Sequence, residues 1–290
     1  MAAITPFDPW KAKLCTCPQK YSVSAYVGCG HGCRYCYASS YIINFFSPRP
    51  KKNFLVQLRK EIKKLPANAI LTIANSSDPY QPLEKKLKLT RELIKTVRNV
   101  PAQVQLVTKS SLITRDMDIF KDYKNIVVSF TITTLNQKLA NKLEPFVPQI
   151  EEKLKAIELL SHITFVACRF DPLIYPLNTG EIKKMVRELK MRGVKQIITS
   201  TYKIKPDNFK RMVTIFPAHK DLWQKIYYRE GERISGYIYL PIEMRKRLIR
   251  EVKEAAQKEK IDFSSCREGF QEFNTAPCDG SMPCVAQKTY

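Results

Sequence analysis

The sequence has few glycines and no long apolar run. Only 9 of its 290 residues are glycine and 44% are hydrophobic, which argues against low-complexity disorder and for a folded core. No apolar stretch approaches the roughly 20 residues that a membrane-spanning helix needs. The opening residues, MAAITPFDPWK, lack the basic-then-apolar pattern of a secretion signal. We therefore expect a cytoplasmic protein, with no membrane contact, built on one sizeable domain.

Acidic residues are scarce relative to basic ones. The chain has 49 Lys and Arg against 27 Asp and Glu, a formal net charge of +22. Such an excess favours a polyanionic partner, and nucleic acid is the commonest one. Solvated helix faces are the alternative explanation, as at 245–260, where Glu is mixed with Lys and Arg at helical spacing. We expect nucleic acid as a partner, with DNA and RNA both open.

Short β-branched runs alternate with helical stretches over the first two thirds of the chain. This alternation predicts right-handed βαβ units and a parallel sheet. The expected fold is α/β, a partial (β/α)6 barrel whose curved parallel sheet carries outer helices. Strands are expected at 21–27, 69–74, 103–108, 125–132, 163–170 and 195–201, and helices between them, including 37–46 and 53–65.

Three parts of the chain follow from this pattern. Residues 1–20 are rich in proline and form an N-terminal extension, and 21–205 form the barrel. In 206–290 the alternation fades, so a C-terminal helical extension with a cysteine-bearing tail is expected there.

Nine cysteines in a chain expected to be cytoplasmic favour metal or redox chemistry over structural disulfides. Cys29, Cys33 and Cys36 lie in the loop GCGHGCRYCYA, directly after the first expected strand. Three thiolates on one loop can hold three corners of a [4Fe-4S] cluster and leave the fourth iron for a small molecule. A zinc site with a fourth ligand from the distant tail is the alternative, because His31 is too close to its neighbours to complete a tetrahedron.

The spacing Cys-x3-Cys-x-aromatic-Cys, with Tyr35 at the aromatic position, resembles the hallmark of the radical S-adenosylmethionine (SAM) superfamily. The resemblance implies a [4Fe-4S] cluster on Cys29, Cys33 and Cys36, with SAM on the open iron. It also implies reductive cleavage of SAM to a 5′-deoxyadenosyl radical, driven by an external one-electron donor such as a ferredoxin or flavodoxin. Tyr35 is then expected near the adenine.

Further segments are similar to the spore photoproduct lyase-like branch of that superfamily, among them SSDPYQPLE, LVTKS, SFTITT and LEPFVP. The resemblance implies SAM contacts at Ser76 or Ser77, Lys109 and Ser129, where Lys109 can pair with the methionine carboxylate. Turn formation and strand packing are the plainer roles for these residues. The lyase has a hydrogen-donating cysteine after its second strand, and LTIANSSDPYQPLE contains none. The lyase's own repair reaction is therefore not expected.

The other cysteines lie mostly near the chain ends. Cys15 and Cys17 precede the first expected strand, whereas Cys266, Cys278 and Cys284 follow the last expected helix. If the two ends meet, Cys15, Cys17, Cys266 and Cys278 can ligate a second cluster or a zinc ion, or one tail thiol can donate a hydrogen atom. A disulfide between the ends is the structural alternative.

The predicted function is a radical SAM enzyme acting on nucleic acid, by DNA repair or RNA modification. Two alternatives stay open. The first keeps the radical chemistry but acts on a protein or a small metabolite. The second is a zinc-stabilised nucleic-acid-binding module. The sequence leaves the substrate and the oligomeric state undetermined.

Overall fold

A computed structural model describes residues 2–7, 13–73, 76–123, 125–279 and 281. Strands are spread along the whole of this described part. They are β1 (Ile4–Pro6), β2 (Tyr21–Val23), β3 (Tyr26–Val27), β4 (Arg49–Pro50), β5 (Ile70–Ile73), β6 (Gln103–Thr108), β7 (Ile126–Thr131), β8 (Phe165–Leu173), β9 (Gln196–Thr201), β10 (Glu232–Ile234), β11 (Tyr237–Tyr239) and β12 (Asp262–Ser265).

Helices occupy most of the connections between the main strands. They are α1 (Phe54–Glu61), α2 (Pro82–Leu87), α3 (Leu89–Val97), α4 (Met117–Phe120), α5 (Gln137–Leu143), α6 (Ile150–Ser161), α7 (Ile182–Met191), α8 (Pro206–Ile215), α9 (Lys220–Trp223) and α10 (Ile242–Lys258). None of the described helices has both the length and the apolar character needed to cross a bilayer.

The main sheet has eight strands in the order β1-β2-β5-β6-β7-β8-β9-β12. Its pairs are parallel from β2 to β12, and β1 pairs with β2 in the antiparallel sense. The predicted α/β fold with a parallel sheet and outer helices is therefore confirmed. The two edge strands come from the segments expected as extensions, because β1 lies within 1–20 and β12 within 206–290.

The core lies between the sheet and its outer helices. Every residue of β7 is buried, as expected for a central strand covered on both faces. On α7 the buried residues recur three or four positions apart, which places them on one helix face. These residues are Ile182, Met185, Val186 and Leu189.

The helix predicted at 37–46 is wrong. Only a short 3-10 helix, Ala38–Ser40, forms there, and Asn44 has a left-handed backbone with φ 54°. The segment turns back toward the cysteine loop, where the carbonyl of Phe45 accepts a hydrogen bond from the amide of Cys29. This non-local contact outweighs the local helical preference of the segment.

Candidate functional site

The cysteine loop begins directly after β3, and its backbone is held by contacts from distant parts of the chain. The amide of Cys29 donates to the carbonyl of Phe45 at 2.8 Å. The side chain of Gln81 accepts from the amide of Gly30 at 2.8 Å and donates to the carbonyl of Gly28 at 3.2 Å. Gly28 has φ +80°, and a Cβ there would lie 2.4 Å from the oxygen of Phe45. A side chain at this position is therefore incompatible with the loop.

Helix α8 supports the loop from the other side. The guanidinium of Arg211 donates to the carbonyl of Arg34 at 3.1 Å and to that of Cys36 at 2.7 Å. The amide group of Asn208, which is fully buried, donates to the carbonyl of Tyr35 at 2.9 Å. These bonds satisfy loop carbonyls that secondary structure leaves without partners. The sequence analysis did not identify Arg211 or Asn208, because they lie more than 170 positions from the loop.

Cys29, Cys33 and Cys36 line a single cavity of about 160 Å³ at the carboxyl ends of the central strands. Ser76, Ser77 and Lys109 line the same cavity. An adjoining cavity of about 200 Å³ shares several lining residues with the first, namely Tyr35, Cys36, Ser76, Lys109 and Thr131. Arg169, Asp171, Cys266 and Arg267 are among the residues that line only this second cavity. The two cavities form one continuous candidate site.

The three loop thiols have the donor chemistry that an iron–sulfur cluster needs. Burial raises the pKa of Cys33 to about 12, with nearby Lys109 opposing the rise, and burial also raises the pKa of Cys29 and Cys36. Among the described residues no three His, Cys, Asp or Glu side chains are grouped to hold a single metal ion. In a cubane cluster each cysteine thiolate binds a different iron, so the three cysteine sulfurs need not converge on one point. The loop thus fits a three-thiolate cluster.

Lys109 and Tyr35 belong to a buried network centred on Glu144. The ammonium of Lys109 donates to Glu144 Oε1 at 2.8 Å and to the Tyr35 hydroxyl at 2.6 Å, and Tyr35 itself donates to Glu144. Glu144 also accepts from Thr133 at 2.8 Å and lies 3.3 Å from the ammonium of Lys153. Despite burial, Lys109 first and then Lys153 hold the pKa of Glu144 well below its usual range. Lys109 is therefore kept positively charged at the junction of the cavities.

Asp78 and His31 lie on the wall of the first cavity. Asp78 accepts from the hydroxyl of Thr108 at 2.7 Å and from the amide of Lys109 at 2.8 Å. The His31 ring lies between Asp78, with Nε2 3.4 Å from Oδ2, and the carbonyl of Phe146, 3.2 Å from Nδ1. Neighbouring His31, together with the Thr108 and Lys109 hydrogen bonds, lowers the pKa of Asp78 although burial opposes it. Asp78 thus links the cysteine loop to the end of β6.

The predicted SAM contacts are brought together only in part. Ser76 lines both cavities and Ser77 lines the first, where it lies close to the carbonyl of Tyr26. Ser129 lines neither cavity, and its buried hydroxyl has no hydrogen-bond partner among the described residues. Thr131, two positions further along β7, lines both cavities. Because alternate strand residues share a face, Ser129 lies below the cavity floor on the same side.

Arg169 and Asp171 are two positions apart in β8. They line the second cavity and form an ion pair at 2.8 Å. Cys168, directly before Arg169 in β8, lines neither cavity and is fully buried in the core.

The two chain ends meet. The hydroxyl of Thr16, which lies between Cys15 and Cys17, donates a hydrogen bond to the sulfur of Cys278 at 3.3 Å. No disulfide forms among the described cysteines. Cys284 lies outside the described residues.

Comparison with known proteins identifies the family. Residues 23–189 match the model of the radical SAM superfamily, which is more than half of the chain. The chain therefore belongs to the radical SAM superfamily, a family whose cofactors are a four-iron cluster and SAM.

Curated relatives are similar over part of the chain. An uncharacterised protein of Methanocaldococcus jannaschii is 33% identical over 144 residues, which are 49% of this chain and 55% of that protein. An uncharacterised protein of Acidianus two-tailed virus is 22% identical over 69% of this chain and 71% of its own length. The match therefore spans about half the length of the M. jannaschii protein.

Solved structures share the fold at low sequence identity. A mutant of spore photoproduct lyase with bound SAM and dinucleoside spore photoproduct has a TM-score of 0.69 and 15% identity, covering 84% of this chain and 75% of that one. Streptococcus suis SuiB bound to SAM has a TM-score of 0.53 and 13% identity, covering 84% and 49%. The partial barrel of this chain is thus a spore photoproduct lyase-like fold.

Proposed function

We propose that Cys29, Cys33 and Cys36 hold the [4Fe-4S] cluster and that SAM binds in the adjoining cavity, where it is cleaved for a reaction on nucleic acid. The observation that carries this proposal is that the three thiols and Lys109 line one cavity that continues into a second, larger one. When bound, the cluster supplies the electron that cleaves the sulfonium. Everything else is positioning by the residues of the chain.

Lys109 is suited to orient the methionine part of SAM, and Tyr35 to form the wall beside it. An ammonium has three N–H donors, and two of those of Lys109 go to Glu144 and Tyr35. The third can donate to a carboxylate at the boundary between the cavities. The hydroxyl of Tyr35 is fixed by its bonds to Glu144 and Lys109, so its ring forms a rigid wall on the ligand side. Ser76 and Thr131 supply further hydroxyl groups on the same wall.

Charge favours nucleic acid as the target. Arg267 lines the second cavity. Among the described residues no carboxylate lies within ion-pair distance of its guanidinium, and its Nε is buried without a hydrogen-bond partner. The other basic groups there, Lys109, Arg169 and Lys203, each have a carboxylate partner. A guanidinium that faces a cavity over the ring of Tyr237, without a carboxylate partner among the described residues, suits a phosphate group, and the chain as a whole carries +22. The structural relative that holds a dinucleoside photoproduct agrees with this target class.

The cluster is tested by anaerobic reconstitution with iron and sulfide. The wild-type protein should turn brown and release 5′-deoxyadenosine from SAM under a strong reductant. Cys33→Ser should lose both properties, whereas Cys168→Ser, a matched change at a buried thiol outside the cavities, should keep them. A Cys33→Ser protein that still produces 5′-deoxyadenosine would contradict the ligand assignment.

The target class is tested by binding to duplex DNA and to transfer RNA over a series of salt concentrations. Binding through phosphate contacts should weaken steeply as salt rises. Arg267→Gln should reduce affinity by roughly tenfold, the loss of one charge-assisted contact. Arg187→Gln, which removes the same charge from an exposed position on α7, should change affinity little. No binding of either nucleic acid at physiological salt would favour a protein or metabolite target instead.

A further inference from the structure

The segment at 41–53 packs against the cysteine loop and also reaches the surface. The carbonyl of Phe45 accepts from the amide of Cys29 at 2.8 Å, and the buried side chain of Phe45 belongs to the same small apolar cluster as Cys29. Its neighbour Phe46 is 42% exposed, and Ile43 is 81% exposed. Two apolar side chains thus face solvent within two positions of a side chain that packs with Cys29.

A third exposed apolar side chain, that of Phe146, contacts the loop from the segment that follows α5. A Cβ on Gly32 would lie 2.9 Å from the Phe146 ring, and the amide of Phe146 donates to the carbonyl of His31 at 3.3 Å. Phe146 is nevertheless 64% exposed. Large apolar side chains gathered at a surface mark sites of contact with another molecule. Three of them adjoin this one loop, which indicates a contact surface there.

A basic cavity of about 550 Å³ lies beside these side chains. It is lined by Arg49, Lys51 and Lys52, and also by Val27, which comes directly before the cysteine loop. Val27 pairs with Arg49 between β3 and β4, and the guanidinium of Arg49 donates to the carbonyl of Ile43 at 3.4 Å. The basic cavity is therefore connected both to the loop and to the exposed apolar residues.

The cations of the basic cavity are available to an anionic partner. In the described part of the chain, no carboxylate lies within ion-pair distance of Arg49, Lys51 or Lys52. Glu61 acts electrostatically on Lys51, but its carboxylate accepts from two backbone amides near the N-terminus. A positive surface of this kind attracts acidic molecules and speeds their approach.

The basic cavity lies away from the second catalytic cavity. That cavity is lined by Thr131, Arg169 and Cys266, which belong to or follow β7, β8 and β12, whereas Val27 and Arg49 belong to the connection between β2 and β5. β2 and β5 lie toward one edge of the sheet, and β8 and β12 toward the other. The described lining of the basic cavity shares no residue with either catalytic cavity. A molecule bound there leaves both catalytic cavities open to SAM and substrate.

The mixture of apolar and cationic side chains favours a protein partner over nucleic acid at this surface. A phosphate backbone gains affinity from cations alone, whereas protein interfaces combine an apolar centre with a polar rim. Ile43, the most exposed of the three apolar residues, has no aromatic face on which a base could stack. Reductive cleavage of SAM also requires one electron from outside the chain, and the cysteine loop is where a cluster would receive it.

We propose that the exposed residues around the basic cavity form a docking surface for an acidic one-electron carrier protein, which reduces the cluster. The docking surface consists of Ile43, Phe46, Arg49, Lys51, Lys52 and Phe146. The carrier loses one electron and the cluster gains it, so no bond forms or breaks and no proton moves. The reduction step rests on the proposed function, whereas docking itself can be tested without the cluster.

The first test compares two reductants of the reconstituted protein. An acidic flavodoxin, reduced by its reductase and NADPH, has to dock, whereas dithionite is small and needs no docking surface. Arg49→Glu combined with Lys52→Glu should lower flavodoxin-driven release of 5′-deoxyadenosine roughly tenfold or more. Dithionite-driven release should be unchanged, because neither residue lines a catalytic cavity. The matched control, Lys183→Glu with Lys190→Glu, makes the same charge change at exposed positions on α7 and should alter neither rate.

The second test measures binding of oxidised flavodoxin to the chain before reconstitution, by isothermal titration calorimetry. Affinity should fall as salt rises, and Arg49→Glu with Lys52→Glu should weaken it roughly tenfold or more. Ile43→Ser, which keeps the charge, should weaken binding and leave its salt dependence unchanged. Wild-type protein that binds flavodoxin but releases no 5′-deoxyadenosine even with dithionite would refute the proposed function and support the docking surface.

Three results would overturn the docking surface. One is unchanged flavodoxin binding in the Arg49→Glu, Lys52→Glu variant. Another is an equal loss of dithionite-driven release in that variant, which would place the defect in the cysteine loop. The third is a loss of affinity for duplex DNA or transfer RNA but not for flavodoxin, which would make the surface a nucleic-acid site.

Discussion

Glu144 is the residue at which a single substitution should reveal most about the site. Its carboxylate, 1% exposed, lies between two ammonium groups, those of Lys109 at 2.8 Å and Lys153 at 3.3 Å. It also accepts from the hydroxyls of Tyr35 and Thr133. Glu144→Ala removes the counter-charge of both lysines and leaves Lys153 buried and Lys109 partly buried.

The expected loss of stability is large for a single substitution. Removing one partner from a buried ion pair costs about 3–5 kcal/mol, because the remaining charge is left without compensation. With an unfolding entropy of roughly 2.1 cal/mol/K per residue, a chain of 290 residues should then melt about 5–8 °C lower. Glu151→Ala is the matched control, since its side chain is 76% exposed and its contact with Arg192 is 3.7 Å. An exposed pair of this kind contributes at most about 1 kcal/mol.

The assay is thermal unfolding of anaerobically purified protein, followed by circular dichroism at several pH values. The pKa of Glu144 is lowered in the folded state, so its stabilising effect is complete above the ordinary value of 4.5 and is lost as the pH falls below it. The difference between wild type and Glu144→Ala should therefore be largest near neutral pH and shrink in acid. If Glu144→Ala melts within 1 °C of wild type at neutral pH, the Glu144 network does not stabilise the fold.

Two other substitutions test the loop and the connection between the chain ends. Gly28→Ala should lower the iron content after reconstitution, because the new Cβ would lie 2.4 Å from the oxygen of Phe45. Gly180→Ala is the control and should leave the iron content unchanged, because no atom lies within 4 Å of a Cβ there. Equal iron content in the two variants would show that the Cβ does not disturb the loop. Lys20→Met should lower the free energy of unfolding in urea by about 3–5 kcal/mol, because it leaves Asp279 buried without its cation. A loss below about 1 kcal/mol would show that the ion pair contributes no more than an exposed one.

The fold was predictable because the sequence pattern of each central strand lies within a few consecutive residues. Central parallel strands are buried on both faces, so 103–108 and 125–132 are rich in apolar and β-branched residues, and β6 and β7 form there. The edges of the sheet were less predictable. β1 is three residues long, and its place depends on pairing with β2. β12, Asp262–Ser265, likewise takes its place and register from its pairing with β9.

The site was predictable where its residues are close in sequence. The spacing of Cys29, Cys33 and Cys36 is readable from one loop, and all three do line one cavity. The sequence did not identify the anionic partner of Lys109, because the carboxylate of Glu144 comes from the end of α5, 35 positions away. An ammonium after a strand indicates that some anion is near, but not which one. The supports from α8 were missed for the same reason.

The second cavity depends on a turn that lies outside the part of the chain shared with the family model, which ends at residue 189. Glu268 fixes this turn, because its carboxylate accepts from the amide of Thr201 at 2.8 Å and from Lys203 at 2.8 Å, and Arg245 donates to its carbonyl at 2.6 Å. Arg267 is thereby held in a left-handed conformation, φ 59°, as part of the cavity wall. The shared barrel supplies the cysteine loop, Lys109 and Arg169, whereas this turn adds Cys266 and Arg267 to the wall of the second cavity. We therefore expect changes in this turn to alter which substrate is accepted while SAM cleavage persists.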